Sequence, residues 1–262
     1  AAIGNDSAAT IRIANINGSI DGSLVQEVSA SGIVNASIGE NTDALLSLGN
    51  TDGDVAGNVN SNVNLVGGIS AAIGNDTISR VKVGDNEGSV GGDLKKTIEG
   101  IGLVAASIGN RTTATIDIAN IDPDASVGKS ATFTAIQAGS AIAASIGNES
   151  IASIAMGNIY DDVTGSVRIN VDTGPIISVS LGSNSESVID IANVNDRVTG
   201  NVDIDAVMLD VTNFSLGYQA KAITTVATVD APVFGNVDID VVSGIIFTGA
   251  VGSGITAETI VA

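Results

Sequence analysis

The chain has 262 residues, a formal net charge of −19, 2% aromatic residues, and no His, Cys or Trp. Without His and Cys it lacks the commonest general base, thiolate chemistry and disulfides, so the composition predicts that it is not an enzyme. The acidic balance argues against nucleic acid and anionic membranes as partners, and no apolar run reaches the roughly 18 residues of a membrane span.

One phrase returns along the chain at a nearly constant interval. It reads AIGNDSAATIRIANI at residues 2–16 and SIGNRTTATIDIANI at residues 107–121. Such self-similarity is typical of a repeat architecture, so residues 1–262 are predicted to form a single repeat domain. The interval is 35 residues, with one interval of 38, and the anchors are Gly4, Gly39, Gly74, Gly109, Gly147, Gly182 and Gly217, with a partial eighth at Gly252.

The first predicted element of each repeat is a β-strand directly after the anchor glycine. In the fourth repeat Ala114, Ile116 and Ile118 occupy columns that stay small or apolar in nearly every copy, whereas the column of Asp117 varies freely. Alternation of constrained and free positions with period two indicates a strand with one buried and one solvated face. The residue before the glycine, Ile108 here, is also always aliphatic and is assigned to the constrained set.

The second predicted element is a corner at the end of that strand. A small residue, Ala or Gly, is followed by Asn or Asp, and Asn tolerates left-handed backbone angles and bonds its own backbone. Identical side chains stacked above one another are expected to bond along the stack as a ladder. The predicted ladder comprises Asn15, Asn50, Asp85, Asn120, Asn158 and Asn193.

The second half of each repeat supplies further alternating runs, most clearly after Gly57, Gly165, Gly200 and Gly235. We therefore predict an all-β fold, a β-solenoid of about seven 35-residue repeats stacked as cross-β layers ~4.8 Å apart. One layer per repeat with three or four short strands is favoured, and two smaller coils per repeat is the alternative.

Aspartates also form columns one period apart. Asp203 and Asp205 precede Asp238 and Asp240 by 35 residues, and Arg168 precedes Asp203 by the same interval. Carboxylate oxygens are ligands for Ca²⁺, so these four residues are calcium candidates. The favoured interpretation is a solvated acidic face without a cofactor, in which Arg168 pairs with Asp203 across layers.

The motif Gly-Asn-x-Ser/Thr makes glycosylation sequons at Asn5, Asn75, Asn110 and Asn148. We assign the Asn and the hydroxyl residue of each to the constrained face of the strand, where a glycan would not fit. A structural role is therefore expected for them.

The strand after the Gly-Asn turn, with Gly109, Asn110, Ala114 and Ile116 as an example, resembles the repeats of the bacterial functional-amyloid subunits of the curlin and Fap fibre families. The chain lacks the two Gln columns of curlin repeats, and its longer unit is closer to the Fap type. The resemblance implies a secreted protein that polymerises into biofilm fibres.

The expected function is therefore that of a self-assembling structural subunit of an extracellular filament, which polymerises end to end through β-strand stacking. Its expected partner is itself, as a homopolymer at or beyond the cell surface, and other matrix components are candidates. The alternative is a monomeric β-solenoid stalk belonging to a larger cell-surface adhesin.

Overall fold

The computed structural model describes residues 1–137 and 139–262, which form twenty β-strands and, within those ranges, no helix. All strand pairs are parallel, and each strand pairs with its equivalent one repeat away: Ala8 lies opposite Asp43, and Ile116 lies opposite Ile154. This confirms the predicted β-solenoid with one layer per repeat and excludes two smaller coils. In the described part of the chain no helix is long or apolar enough to cross a bilayer.

Three sides enclose the core, and the first, side A, is an eight-stranded sheet built from the strand after each anchor glycine. Its strands are β2 (Ala8–Ile13), β4 (Asp43–Leu48), β6 (Thr77–Val83), β8 (Thr112–Ile118), β11 (Ile151–Met156), β14 (Glu186–Ile191), β17 (Lys221–Val226) and β20 (Thr256–Val261).

Sides B and C belong to one twelve-stranded sheet. In the first three layers a single 15-residue strand forms both sides: β3 (Leu24–Ile38), β5 (Val59–Ile73) and β7 (Leu94–Ile108). Later layers divide this strand. Side B continues with β9 (Ala131–Gln137), β12 (Val167–Thr173), β15 (Val202–Met208) and β18 (Val237–Ser243), and side C contains β1 (Ala2–Ile3), β10 (Ala141–Ile146), β13 (Ile176–Leu181), β16 (Val211–Tyr218) and β19 (Ile246–Ser253).

A short connection with two buried bridge positions joins side A to side B, represented by Ile121 and Val127 in the fourth layer. Two of the three extra residues of the fourth repeat lie in this connection. Asn86 pairs with Ile121 and Val90 pairs with Val127, so the fourth layer has two more residues between these bridge positions than the third. The third extra residue precedes Ala141, which pairs with Leu103. The insertion is thus absorbed in connections, and the columns on both sides of it stay in register.

The corner between side A and the connection is built differently from the expectation. Ala119, and not Asn120, adopts the left-handed conformation, with a φ of 53°, and glycine takes the same role at Gly84, with a φ of 69°. Asn120 is buried in the next position. The small residue is required because it carries the strained backbone while the chain turns inward, so that Asn can direct its side chain along the stack.

The anchor glycine forms the other corner, between sides C and A. Gly109 has a φ of 144°, and a Cβ atom added to it would lie 1.7 Å from the carbonyl oxygen of Gly74 in the preceding layer. Only a residue without a Cβ allows two layers to approach to hydrogen-bonding distance at this corner. This contact explains why glycine recurs at every repeat.

The anchor corner also reverses which face of the strand is buried, so the assignment of the residue before the glycine was wrong. Ile73, Ile108 and Ile146 face outward and keep 44%, 46% and 42% of their surface exposed. Alternation continues along a strand only while the strand stays extended, and the left-handed residues at the corner shift its phase.

We expect Gly109→Ala to destabilise the protein by at least about 3 kcal/mol, because the new methyl group would strike the Gly74 carbonyl and force two layers apart. Gly102→Ala is the matched control: Gly102 has a φ of 70°, but its added Cβ would meet nothing within 4 Å. It should cost only about 1–2 kcal/mol of backbone strain. Urea unfolding measures both changes, and equal losses would contradict the layer-contact explanation.

Candidate functional site

The residues of the predicted ladder form one polar column along the inside of the corner. The side-chain oxygen of each member accepts a hydrogen bond from the backbone N–H of the next member, for example from Asn120 N to Asp85 Oδ1 at 2.9 Å and from Asn158 N to Asn120 Oδ1 at 3.0 Å. The bond shared by all layers therefore runs from backbone to side chain, and the expected bond between stacked side chains is present from Asn120 Nδ2 to Asp85 Oδ1 at 3.3 Å. The bond from backbone to side chain links Asn15, Asn50, Asp85, Asn120, Asn158 and Asn193 and ends on Thr228 N.

This column satisfies backbone donors at a place where the strand ladder is interrupted. At the corner the chain leaves side A, so these N–H groups have no partner in a regular strand pair, and buried N–H groups need one. Asn50, Asp85, Asn120, Asn158 and Asn193 are all at most 2% exposed. The column is thus a structural device that lets the chain turn without losing buried hydrogen bonds.

Asp85 is the one acidic member, and it belongs to a buried cluster with Lys96. Lys96 is fully buried on side B, and its Nζ donates to the Asp85 carbonyl oxygen at 2.8 Å and to Thr51 Oγ1 at 3.4 Å. Asp85 Oδ2 and Asn86 Oδ1 have no hydrogen-bond partner within the described residues. A protonated lysine offers three donors, so this cluster holds more polar groups than it satisfies.

Burial shifts the pKa of both the Lys96 amine and the Asp85 carboxyl group towards the neutral form. It lowers the pKa of Lys96 to about 7, although the nearby Asp85 and Asp52 carboxylates favour the charged amine. Burial also raises the pKa of Asp85 well above its ordinary value, and Asp117 and Asp122 raise it further. A protonated Asp85 has nearly the shape of asparagine, which explains how an acid is accommodated in an asparagine column.

The predicted calcium residues lie on the outer surface of side B. Asp203 pairs in register with Asp238, and Asp205 pairs with Asp240. The expected ladder pair is confirmed, since Arg168 Nη2 lies 2.6 Å from Asp203 Oδ2. Two carboxylate pairs on a flat sheet, with one carboxylate held by Arg168, do not fit the closed oxygen shell that Ca²⁺ takes.

Among the described residues, three acidic side chains approach within 4.8 Å of one another only at Asp161, Asp162 and Asp196. Asp162 in that group is bonded to Arg197. Asp196 is exposed and the other two are half-buried, and carboxylates that reach the surface need no metal ion.

The sequon asparagines lie at the anchor corner and are not on the buried face, so that expectation was wrong. Asn5, Asn110 and Asn148 are exposed. Asn75 Oδ1 accepts a hydrogen bond from Asn110 N at 3.1 Å, which makes a second, exposed column of side-chain to backbone bonds. The hydroxyl residue of the motif is buried: Thr112 Oγ1 lies 2.7 Å from Ser145 Oγ in the next layer.

Sequence reasoning missed the Lys96 cluster, although the signal was present. In the run Leu94–Lys96–Ile98 the alternation places Lys96 on the same face as two apolar residues. The equivalent positions in later layers are Phe133, Ile169 and Ile204, all buried. A charged residue within an apolar column indicates a buried charge.

We expect Asn120→Leu to lower the free energy of unfolding by about 1–3 kcal/mol, because it leaves the buried N–H of Asn158 without an acceptor. Asp117→Leu is the neighbouring control on the outer face. Burial raises the pKa of Asp117 to about 6, so loss of this carboxyl group should cost less than about 0.5 kcal/mol. Urea unfolding at pH 7 measures both, and similar losses would argue against the polar column.

Lys96→Met should change how stability depends on pH. Between pH 7 and 10.5 the unfolded chain keeps the Lys96 proton and the folded chain does not. The Lys96 amine by itself therefore makes stability rise with pH there, by up to about 1.4 kcal/mol per pH unit, whereas the raised pKa of Asp85 acts in the opposite direction. Methionine removes that rise and should leave the protein at least as stable at pH 7.

Lys95→Met is the control for this experiment, since Lys95 is the exposed neighbour on the same strand. It should keep the wild-type slope in unfolding titrations from pH 7 to 10. A Lys96→Met protein with the wild-type slope would show that the amine is not buried.

Comparison of the chain with protein-family models, with curated proteins and with solved structures found no match. Its function is therefore inferred from the chemistry of its own residues.

Proposed function

We propose that the chain is a non-enzymatic, self-assembling structural subunit of an extracellular filament or biofilm-matrix fibre, and that it polymerises by end-to-end stacking of solenoid layers. The resemblance to functional-amyloid repeats supports the extracellular location. The geometry supports the mode of assembly.

The buried columns of side chains continue without interruption from the first layer to the last, and this continuity is the main support for the proposal. The column of Ala9 leads through successive registered pairs to Ala257, and the column of Ile13 leads to Val261. In the last layer Val237 is 46% exposed, whereas its equivalent Val202 one layer earlier is 1% exposed. The last layer thus presents the surface on which every inner layer of this chain is packed.

Stacking of a second copy would use the same contacts that hold the layers together. Within residues 1–262, strands β18, β19 and β20 are each paired on one side only, and unpaired strand edges are templates for further pairing. Each added layer buries inward Val, Ile and Ala side chains and forms a row of parallel hydrogen bonds. Polymerisation in this mechanism is the continuation of folding.

Electrostatics oppose this growth. The net charge of −19 brings like charges together when copies stack. Part of the repulsion is relieved across layers, because Lys221 pairs with Glu186 at 2.7 Å and Arg111 pairs with Asp76, each 35 residues apart.

We expect filaments to grow slowly at low salt and faster near 0.15 M NaCl, where the Debye length shortens to ~8 Å. Electron microscopy should show a layer spacing of ~4.8 Å and, for about seven and a half layers per copy, a subunit rise of roughly 36 Å. Light scattering measures the rates.

Calcium at matched ionic strength is the control. Equal rates in Ca²⁺ and Na⁺ would indicate screening alone, whereas faster growth in Ca²⁺ that Asp203→Asn with Asp238→Asn removes would indicate a metal bridge. A protein that forms no filaments at high concentration over days, at any salt concentration, would contradict the fibre proposal and favour the adhesin stalk.

A further inference from the structure

Side C has an outer surface unlike those of the other two sides. Three columns of outward side chains run along it through seven layers, and we call this surface the aliphatic face. Only Thr212 and Gly249 interrupt its apolar character. The columns are Val34, Ile69, Val104, Ile142, Ile177, Thr212 and Phe247; Ala36, Ala71, Ala106, Ala144, Val179, Phe214 and Gly249; and Ile38, Ile73, Ile108, Ile146, Leu181, Leu216 and Val251.

The strands of side C therefore bury several polar side chains while they expose apolar ones, although inward positions such as Leu103 and Ile176 are apolar. Ser145 and Ser180 face inward and are fully buried, and Ser180 Oγ lies 2.8 Å from Ser150 Oγ. On the outer surface of the same strands, Val34 is 62% and Ile146 is 42% exposed. A sheet that meets water on one side normally has the opposite pattern, so this face has the composition of a buried surface.

Charge is also excluded from the aliphatic face. The chain has 29 acidic and 10 basic residues, and none of them occupies the three columns. Sides A and B carry outward charges such as Lys221, Glu186, Arg168 and Asp203. Two copies with a net charge of −19 each meet the least repulsion when they approach through this face.

We infer that the aliphatic face pairs with the same face of a second copy of this chain. Six residues along each strand and seven layers give a face of roughly 20 by 34 Å, or ~680 Å² on each copy. Two such faces bury ~1,360 Å², which lies within the range of specific protein interfaces. Both copies repeat their side chains every ~4.8 Å, so the two faces match in spacing along their whole length.

The central column decides the relative direction of the two copies. It is narrow in the early layers, at Ala71 and Ala106, and bulky in later ones, at Val179 and Phe214. An antiparallel pair with its two-fold axis at the fourth layer places Phe214 opposite Ala71 of the other copy and Val179 opposite its Ala106. A parallel pair would place Phe214 against Phe214 and leave a gap between the alanines.

This pairing is lateral and does not depend on end-to-end stacking. Sedimentation velocity at low salt, where filament growth is slow, should detect a dimer. Ala144→Glu places a charge at the centre of the pair and should raise the dimer dissociation constant at least about 100-fold. Ser153→Glu, which puts the same charge on the outer surface of side A, should leave it unchanged.

Cysteine cross-linking tests the direction, because the chain has no Cys of its own. With a short bifunctional maleimide, Ala144→Cys should give mostly cross-linked dimer, since the fourth layers of the two copies meet. Ala71→Cys should give about a tenth of that yield or less, because the two residues would lie four layers, or ~19 Å, apart. Ser153→Cys reports background.

Equal cross-linking at Ala71 and Ala144 would overturn the antiparallel arrangement. A monomer in sedimentation, together with background cross-linking at both positions, would overturn the pairing itself. A dimer in a protein that never forms filaments would support the pairing while the filament proposal fails, so the two proposals are separable.

Discussion

Every feature of this molecule depends on the in-register stacking of parallel layers at the spacing of a β-ladder. Backbone hydrogen bonds fix that spacing at ~4.8 Å, and side chains must then pack on their own copies one layer away. The constraint is most severe at the anchor corner, where Gly109 lies on Gly74 with no room for a Cβ atom. It also explains the core, because Val, Ile and Ala stack as columns more readily than large aromatic side chains.

The same stacking accounts for polar groups in the interior. At the corner after side A the ladder is interrupted, and the side chains of Asn120 and Asn158 accept the main-chain N–H groups that would otherwise lack partners. Near the anchor corner, buried hydroxyl groups hydrogen-bond to each other across layers, as those of Thr112 and Ser145 do. Lys96 is the exception, since its amine has fewer acceptors than donors, and burial lowers its pKa to about 7.

The two proposed interactions use different surfaces: end-to-end stacking uses the terminal layers, and lateral pairing uses the aliphatic face. Along the stack, exposed column residues such as Val237 offer continuation of the ladder, and like charges oppose it. Across the stack, the aliphatic face offers apolar contact without charge. Short-range packing favours association in both directions, whereas long-range electrostatic repulsion acts mainly through the charged sides, A and B.

The 35-residue period and the alternation after Gly109 were enough to predict the all-β solenoid, its one layer per repeat and the Arg168–Asp203 pair. Those features depend on spacing along the chain, and spacing is visible in a sequence. The structure alone decided that Ile108 faces outward, that Ala119 and not Asn120 takes the left-handed conformation, and that Lys96 is buried beside Asp85. These depend on how corners rotate one side against the next, because a single left-handed residue changes which face of the following strand points inward, and periodicity does not record that rotation.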